Sequence, residues 1–238
     1  MSPRALLSLL LVLAACDPPR AAVRLSIPGL DGAETLLPGI VLTFLPYNRD
    51  SVITALEARA KPRPNTEALD SLFRAFRGPF TALVLATRDH DVLQSRLDSL
   101  RRLPAAPGQV KAVAAVHDSL RSLASRLAQA RGAVDTARRA LWPTMDSLRG
   151  EYKAWERIAH RGYDSIVKRY LGTQFVNTVS DTTGTDGWAV IDLTNGDWWV
   201  TARAIDPKDP NAEWYWNVPI TRDTIFLNPR NGHNRPRY

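Results

Sequence analysis

Four histidines, a scatter of carboxylates and one cysteine are the residues with which this 238-residue chain could do chemistry. His90, His117, His160 and His233 stand apart, and none forms a metal-ligand spacing with another. Asp89-His90-Asp91 is the one place where imidazole and carboxylate are sequence neighbours. His90 falls close to an apolar helical stripe, which reads as a half-buried or solvated histidine rather than a ligand. Asp181, Asp186, Asp192 and Asp197 lie in or near β turns. Clustered turn carboxylates can gather calcium, but no loop here has EF-hand order, and aspartate favours turns through its own backbone hydrogen bonds. There is no glycine-rich phosphate loop, no G-x-S-x-G and no H-E-x-x-H. No acid–base pair can be assembled from the sequence. The expectation is a protein that is not an enzyme, with no catalytic residue, no metal and no cofactor.

Cys16 is the only thiol. It follows a cationic start, Met1-Ser2-Pro3-Arg4, and an apolar run from Ala5 to Ala15, the pattern of a secretory signal. The run is shorter than the roughly 20 residues of a spanning helix. Leu13-Ala14-Ala15-Cys16 resembles the bacterial lipobox. That resemblance implies cleavage after residue 15, with diacylglyceryl and acyl groups on Cys16. Two or three chains, each buried methylene contributing about 0.8 kcal/mol, would anchor the protein stably. Lipidation would also remove the thiol from disulfide, thiolate and metal chemistry. The expected location is the cell envelope, facing periplasm or exterior. Asp17 resembles an inner-membrane retention signal, and the choice between inner and outer membrane stays open. Without Arg4 the mature chain carries 30 basic and 24 acidic residues, a net charge of +6. The basic residues are scattered and match no nucleic-acid motif, so nucleic acid is not an expected partner. A mild positive balance suits anionic headgroups or acidic polymers.

The elements that must position these residues change period twice. Residues 16–22 read as a tether. Val23, Leu25 and Ile27 alternate with polar neighbours, and Ile40 to Leu45 follows a Pro38-Gly39 turn, giving two strands within 23–47. From 48 to 172 the apolar spacing is helical. Pro62 and Pro64 interrupt it, with Asn65 or Thr66 available as an N-cap. Leu69, Phe73, Phe76, Phe80 and Leu83 form one stripe, which resumes after a slip near His90 with Leu93, Leu97 and Leu100. An elbow near 103–108 turns the chain back. Val113, Val116, Leu120, Leu123, Leu127, Ala130, Val134, Ala137 and Leu141 then keep a strict three–four alternation, the mark of a coiled-coil seam. The short elbow predicts antiparallel arms. Pro143 kinks or restarts the helix, and Gly172 is placed to end it.

Strands return over 174–228: Phe175 to Val179, Trp188 to Leu193, Asp197 to Ala204, Trp214 to Ile220 and Asp223 to Leu227, with 206–211 as a polar loop and 229–238 as a basic tail. The predicted fold is α+β. A seven-stranded antiparallel β-sandwich is interrupted by a long antiparallel coiled-coil hairpin. Side chains alternate faces along a strand. Trp198, Val200 and Ala202 should point inward with Trp216 and Ile191. Trp188, Trp199 and Tyr215 are then left on an outer surface, covered by the base of the hairpin or open to a partner.

Thr185-Asp186-Gly187-Trp188-Ala189, followed by Leu193, Gly196, Trp198, Val200 and Ala202, resembles the carboxypeptidase regulatory-like (transthyretin-like) β-sandwich family. Leu37-Pro38-Gly39-Ile40-Val41-Leu42 is similar to its opening strand. The resemblance spans 23–47 and 174–228, and the helical insertion departs from the compact family pattern. It implies a binding or structural module and brings no catalytic residue. The expectation is a non-enzymatic envelope lipoprotein. Its base would present the coiled arm, through Val113, Val116, Leu120, Leu123, Leu127 and Val134, as a spacer or docking surface for an envelope protein. The alternative is a carbohydrate- or cell-wall-binding module that uses Trp188, Trp199 and Tyr215 on a glycan.

Overall fold

A computed structural model describes residues 20–104, 108–174 and 177–238. The expected signal peptide, Cys16, residues 17–19 of the expected tether, elbow residues 105–107, and Phe175 and Val176 of the expected strand lie outside the described residues.

Alternating apolar residues make the first strand, β1 (Arg20–Pro28), in which Val23, Leu25 and Ile27 are buried. β2 (Glu34–Leu36) folds back on its far end. β3 (Val41–Leu45) points Leu42 and Phe44 inward. Four helices follow: α1 (Arg49–Glu57), α2 (Glu67–Arg102), α3 (Gln109–Ala159) and α4 (Tyr163–Gln174). Then come β4 (Val179–Thr182), β5 (Trp188–Asp192), β6 (Trp199–Asp206), β7 (Asp209–Pro219), β8 (Thr224–Leu227) and β9 (His233–Pro236). The fold is α+β, with nine strands in two sheets among the described residues, where the sequence reading counts seven.

One sheet is built around β1, which pairs β2 and β5 antiparallel and β8 parallel. The other runs β4-β3-β6-β7-β9, every pair antiparallel. Both sheets give side chains to one apolar cluster: Val23, Leu25 and Leu227 from the first, Leu42, Phe44, Val200 and Trp216 from the second. Trp216 is fully buried, and its indole N–H donates to the Asn228 carbonyl at 3.0 Å. Gly187 sits at φ +72°, where an added Cβ would stand 3.2 Å from the Leu25 carbonyl oxygen. Only glycine meets both demands there.

On α3 the apolar residues of the three–four alternation are the more protected ones. Val116, Leu123 and Leu127 are buried, Val113, Leu120 and Val134 are half-buried, and the residues between them are mostly exposed. On α2 the slip falls one turn earlier than His90. Ala86 is the buried seam residue, three positions after Leu83, and His90 takes the next seam place, half-buried. Neither proline inside these helices breaks them: Pro79 lies within α2 and Pro143 within α3. At 1.5 Å per residue the 51 residues of α3 span about 76 Å. Among the described residues no helix is long and apolar enough to cross a membrane.

Five boundaries differ from the sequence reading. Arg20 to Ala22, expected in the 16–22 tether, belong to β1, with Ala21 buried against the core. Gly162, at φ +97°, separates α3 from α4, and α4 continues through Gly172 to Gln174. Asn177 and Thr178, expected inside a strand, lie outside one, and β4 begins at Val179. The polar stretch 206–211 is not a loop: only Pro207 and Lys208 form a turn, between the end of β6 and the start of β7. Asp206 accepts from the Lys208 amide at 2.8 Å and Asp209 from the Asn211 amide at 2.9 Å, so β7 starts at Asp209. The supposed basic tail forms β9 on the free edge of β7, with Arg235 paired to Glu213 at 2.9 Å.

The arm is fastened along one end of the sheets. Thr81 donates to the Lys208 carbonyl at 2.7 Å, Arg149 donates to Asn211 at 3.0 Å, and Arg88 lies 3.9 Å from Asp31 in the β1–β2 turn. Leu69, Phe73 and Met145 make a separate core at its root, against Tyr238. Because Trp216 belongs to the sheet core and Leu123 to the arm, their truncations should behave differently. Trp216→Ala should lower the stability of the sheets by about 3–5 kcal/mol in a urea titration. Leu123→Ala should speed amide exchange in 109–134 while leaving exchange in β1 and β3 unchanged.

Candidate functional site

Asn48 ends the run from β3 and caps α1, accepting from the amides of Asp50 at 3.0 Å and Ser51 at 3.2 Å. The same oxygen accepts from Asn217 of β7 at 2.7 Å, which presses the start of α1 onto the outer face of the second sheet. Asp50 stands in the first turn, where the helix dipole favours a carboxylate. It accepts the Tyr215 hydroxyl at 2.5 Å, and Arg49 donates to the same hydroxyl at 3.3 Å. The Arg235 guanidinium lies 3.7 Å over the Tyr215 ring. Burial, then the bond to Asp50, pushes the Tyr215 phenol up to about 12.

Tyr215 is thus buried beneath a polar cover rather than open to a ligand. The cover over it is the start of α1, while Tyr152 and Trp155 pack on one another and around Arg63. Trp199 shares the outer face of the second sheet, half-buried and opposite Leu45 and Pro219. Trp188 belongs to the other sheet. There it stands opposite Arg24 and edge-on to Phe226 at 5.9 Å. The three aromatics read as one outer strip therefore lie on two different sheets. Alternation assigns each side chain a face of its strand but does not say which sheet the strand joins.

Beside the Tyr215 node runs a groove of about 720 Å³. α1 forms one wall with Arg49, Asp50 and Glu57, and the end of α3 forms another with Tyr152, Glu156 and His160. The floor is Arg203, Glu213 and Arg235 of β6, β7 and β9 with Arg237 just after β9, and Arg63 and Tyr238 close one end. His160 and Glu57 meet at 2.9 Å, a carboxylate–imidazole pair that sequence reasoning missed because 103 residues separate the partners. Arg63 lies over the rings of Tyr152 at 4.9 Å, Tyr238 at 5.5 Å and Trp155 at 6.0 Å. Tyr238 is fixed by donating to Asp70 at 2.6 Å. His90 pairs with its neighbour Asp91 at 3.4 Å. Among the described residues no group of three or more His, Cys, Asp or Glu side chains is placed to hold a metal ion.

No family model, curated protein or solved structure matches the chain.

Tyr215→Phe should leave Asp50 and Arg49 without their hydroxyl partner and destabilise the fold by about 1–3 kcal/mol. The phenol titrates near 12 when folded, against an ordinary 10.0. The stability it contributes is complete below pH 10 and is lost as pH rises toward 12. The gap in urea midpoint between wild type and Tyr215→Phe should accordingly narrow between pH 9 and pH 11.5. A gap that stays constant would assign the alkaline loss to other tyrosines.

Proposed function

We propose that this chain is a non-enzymatic lipoprotein of the bacterial envelope. Cys16 carries the lipid, the two sheets form a β-sandwich of the carboxypeptidase regulatory-like kind, and the coiled pair is a spacer or docking surface for another envelope protein. One observation carries the reading. The hydrogen bonds and ion pairs between arm and sheets end at Arg88, and among the described residues those beyond it stay within the α2–α3 pair. Burying the root of the arm needs Leu69, Phe73 and Met145. The further reach to Arg102 and back stabilises the arm alone, and a length in excess of what the base requires points to a task at a distance. The reach is also basic: residues 89–139 hold nine Lys and Arg against five Asp, which suits an acidic partner surface.

Replacing residues 90–122 by a short Gly-Ser turn keeps the root and Arg88 and removes the reach. The shortened protein should melt as the parent does and lose its crosslinked envelope partner. Unchanged crosslinking would show that the arm is not the docking surface. In growing cells, Cys16→Ser should abolish palmitate labelling and release the protein from membranes. Continued labelling would place the lipid elsewhere or remove the anchor from the proposal.

A further inference from the structure

The groove beside α1 gathers five guanidiniums from four separate places in the chain: Arg49 on α1, Arg63 in the α1–α2 connection, Arg203 on β6, and Arg235 and Arg237 at the C-terminal strand. Sequence proximity does not explain that convergence. Four carboxylates face them, and three are already engaged. Glu213 is held by Arg235 at 2.9 Å and approached by Arg203 at 4.0 Å. Glu57 meets His160, and Asp50 accepts from Tyr215. Glu156 is left, and on the other side Arg49, Arg63 and Arg237 have no carboxylate oxygen within 4.0 Å among the described residues. Arg49 donates to the Tyr215 hydroxyl and Arg237 to the Pro210 carbonyl at 3.1 Å. Neither bond neutralises a charge.

Arg63 is held in a way that suits recognition. Its guanidinium carbon lies 4.9 Å from the centre of the Tyr152 ring and 5.5 Å from that of Tyr238, and among the described residues its N–H groups donate to no protein acceptor, so they are available for a fork. Such forks match the paired oxygens of phosphate and carboxylate. The volume of about 720 Å³ falls in the range of small-molecule sites. Its lining is dominated by charge rather than by apolar side chains, so a neutral or greasy ligand would strand those charges without a partner.

We propose that this groove binds a ligand carrying two or more oxyanions, phosphate or carboxylate, bridging Arg63 and Arg237 with Arg49 behind them. Arg203 and Arg235 stay occupied by Glu213, and Glu156 lowers the affinity. The site lies at the base and does not depend on the arm or its partner.

The test is calorimetric titration of the full chain in neutral detergent with pyrophosphate, with trigalacturonate and with maltotriose. The first two separate a phosphate source from a carboxylate source, and the third is the uncharged control. At least one of the two anions should bind, more weakly as salt rises, and maltotriose should not. Arg237→Gln and Arg63→Gln should each weaken the anion on the order of tenfold, the loss of one charged hydrogen bond. Arg63→Lys, which keeps the charge on the rings, should lose less. Glu156→Gln should tighten binding, and Arg102→Gln at the far end of the arm should leave it unchanged. Melting temperatures of each variant separate lost binding from lost folding. The proposal is overturned if neither anion binds, if maltotriose binds as well, if folded Arg237→Gln and Arg63→Gln both bind like the parent, or if Glu156→Gln weakens binding.

Discussion

The hydroxyl of Tyr215 settles where the helices can go. It stands on the outer face of the second sheet, donates to Asp50 and accepts from Arg49, and so ties the first turn of α1 to the middle strand of the C-terminal half. Asn217 repeats the tie one pair along, through the oxygen of Asn48 that caps the same helix. A helix start buried against a sheet would leave amides without acceptors unless side chains supply them, and here the sheet and the cap supply them together. With α1 fixed, Leu45, Tyr47, Val52 and Leu56 present a surface that α4 covers through Tyr163, Ile166 and Val167. The same placement leaves open the groove between α1, the end of α3 and β9.

The helices divide into two physical regimes. At the root, Phe73, Phe76, Trp142, Tyr152 and Tyr238 pack ring against ring and the arm is part of a larger core. Farther out, α2 and α3 have only each other. The burial pattern narrows there to a single stripe on each helix. Val110 is 80% exposed and Leu103 59% exposed on either side of the elbow. Stability per residue should fall along the arm accordingly, because a two-helix seam buries less apolar area than a sheet core.

The arm was the part most legible in the sequence. A three–four alternation over four heptads fixes which side chains face inward without reference to anything else in the chain, and Val116, Leu123 and Leu127 are buried as the spacing requires. Ala86 escaped notice because a small residue adds little to an apolar stripe. The inward faces of β6 and β7 were equally readable, since Val200, Ala202 and Trp216 alternate with outward neighbours. β9 was not, because His233-Asn234-Arg235-Pro236 has no apolar period. What makes it a strand is the free edge of β7 and the carboxylate of Glu213. The groove was invisible for a related reason. Glu57 and His160, or Arg63 and Tyr238, come together only after two helices have turned, and nothing in local composition records that.

The pairing of β1 carries a consequence for the order of folding. β1 adds its hydrogen bonds to β5 and β8, elements that begin at Trp188 and Thr224, so the first strand in the chain waits for nearly the last. β3 likewise waits for β4 and β6. The contacts of α2 with α3 are far more local, and helical pairs form quickly where sheets of distant strands form slowly. Once the pair has closed and Tyr163 has met Tyr47 at 3.1 Å, more than a hundred intervening residues no longer count as free loop. The closure entropy that would oppose sheet assembly shrinks with them. The insertion that separates the strands along the chain thus acts, once folded, as the splint that returns their ends to one another.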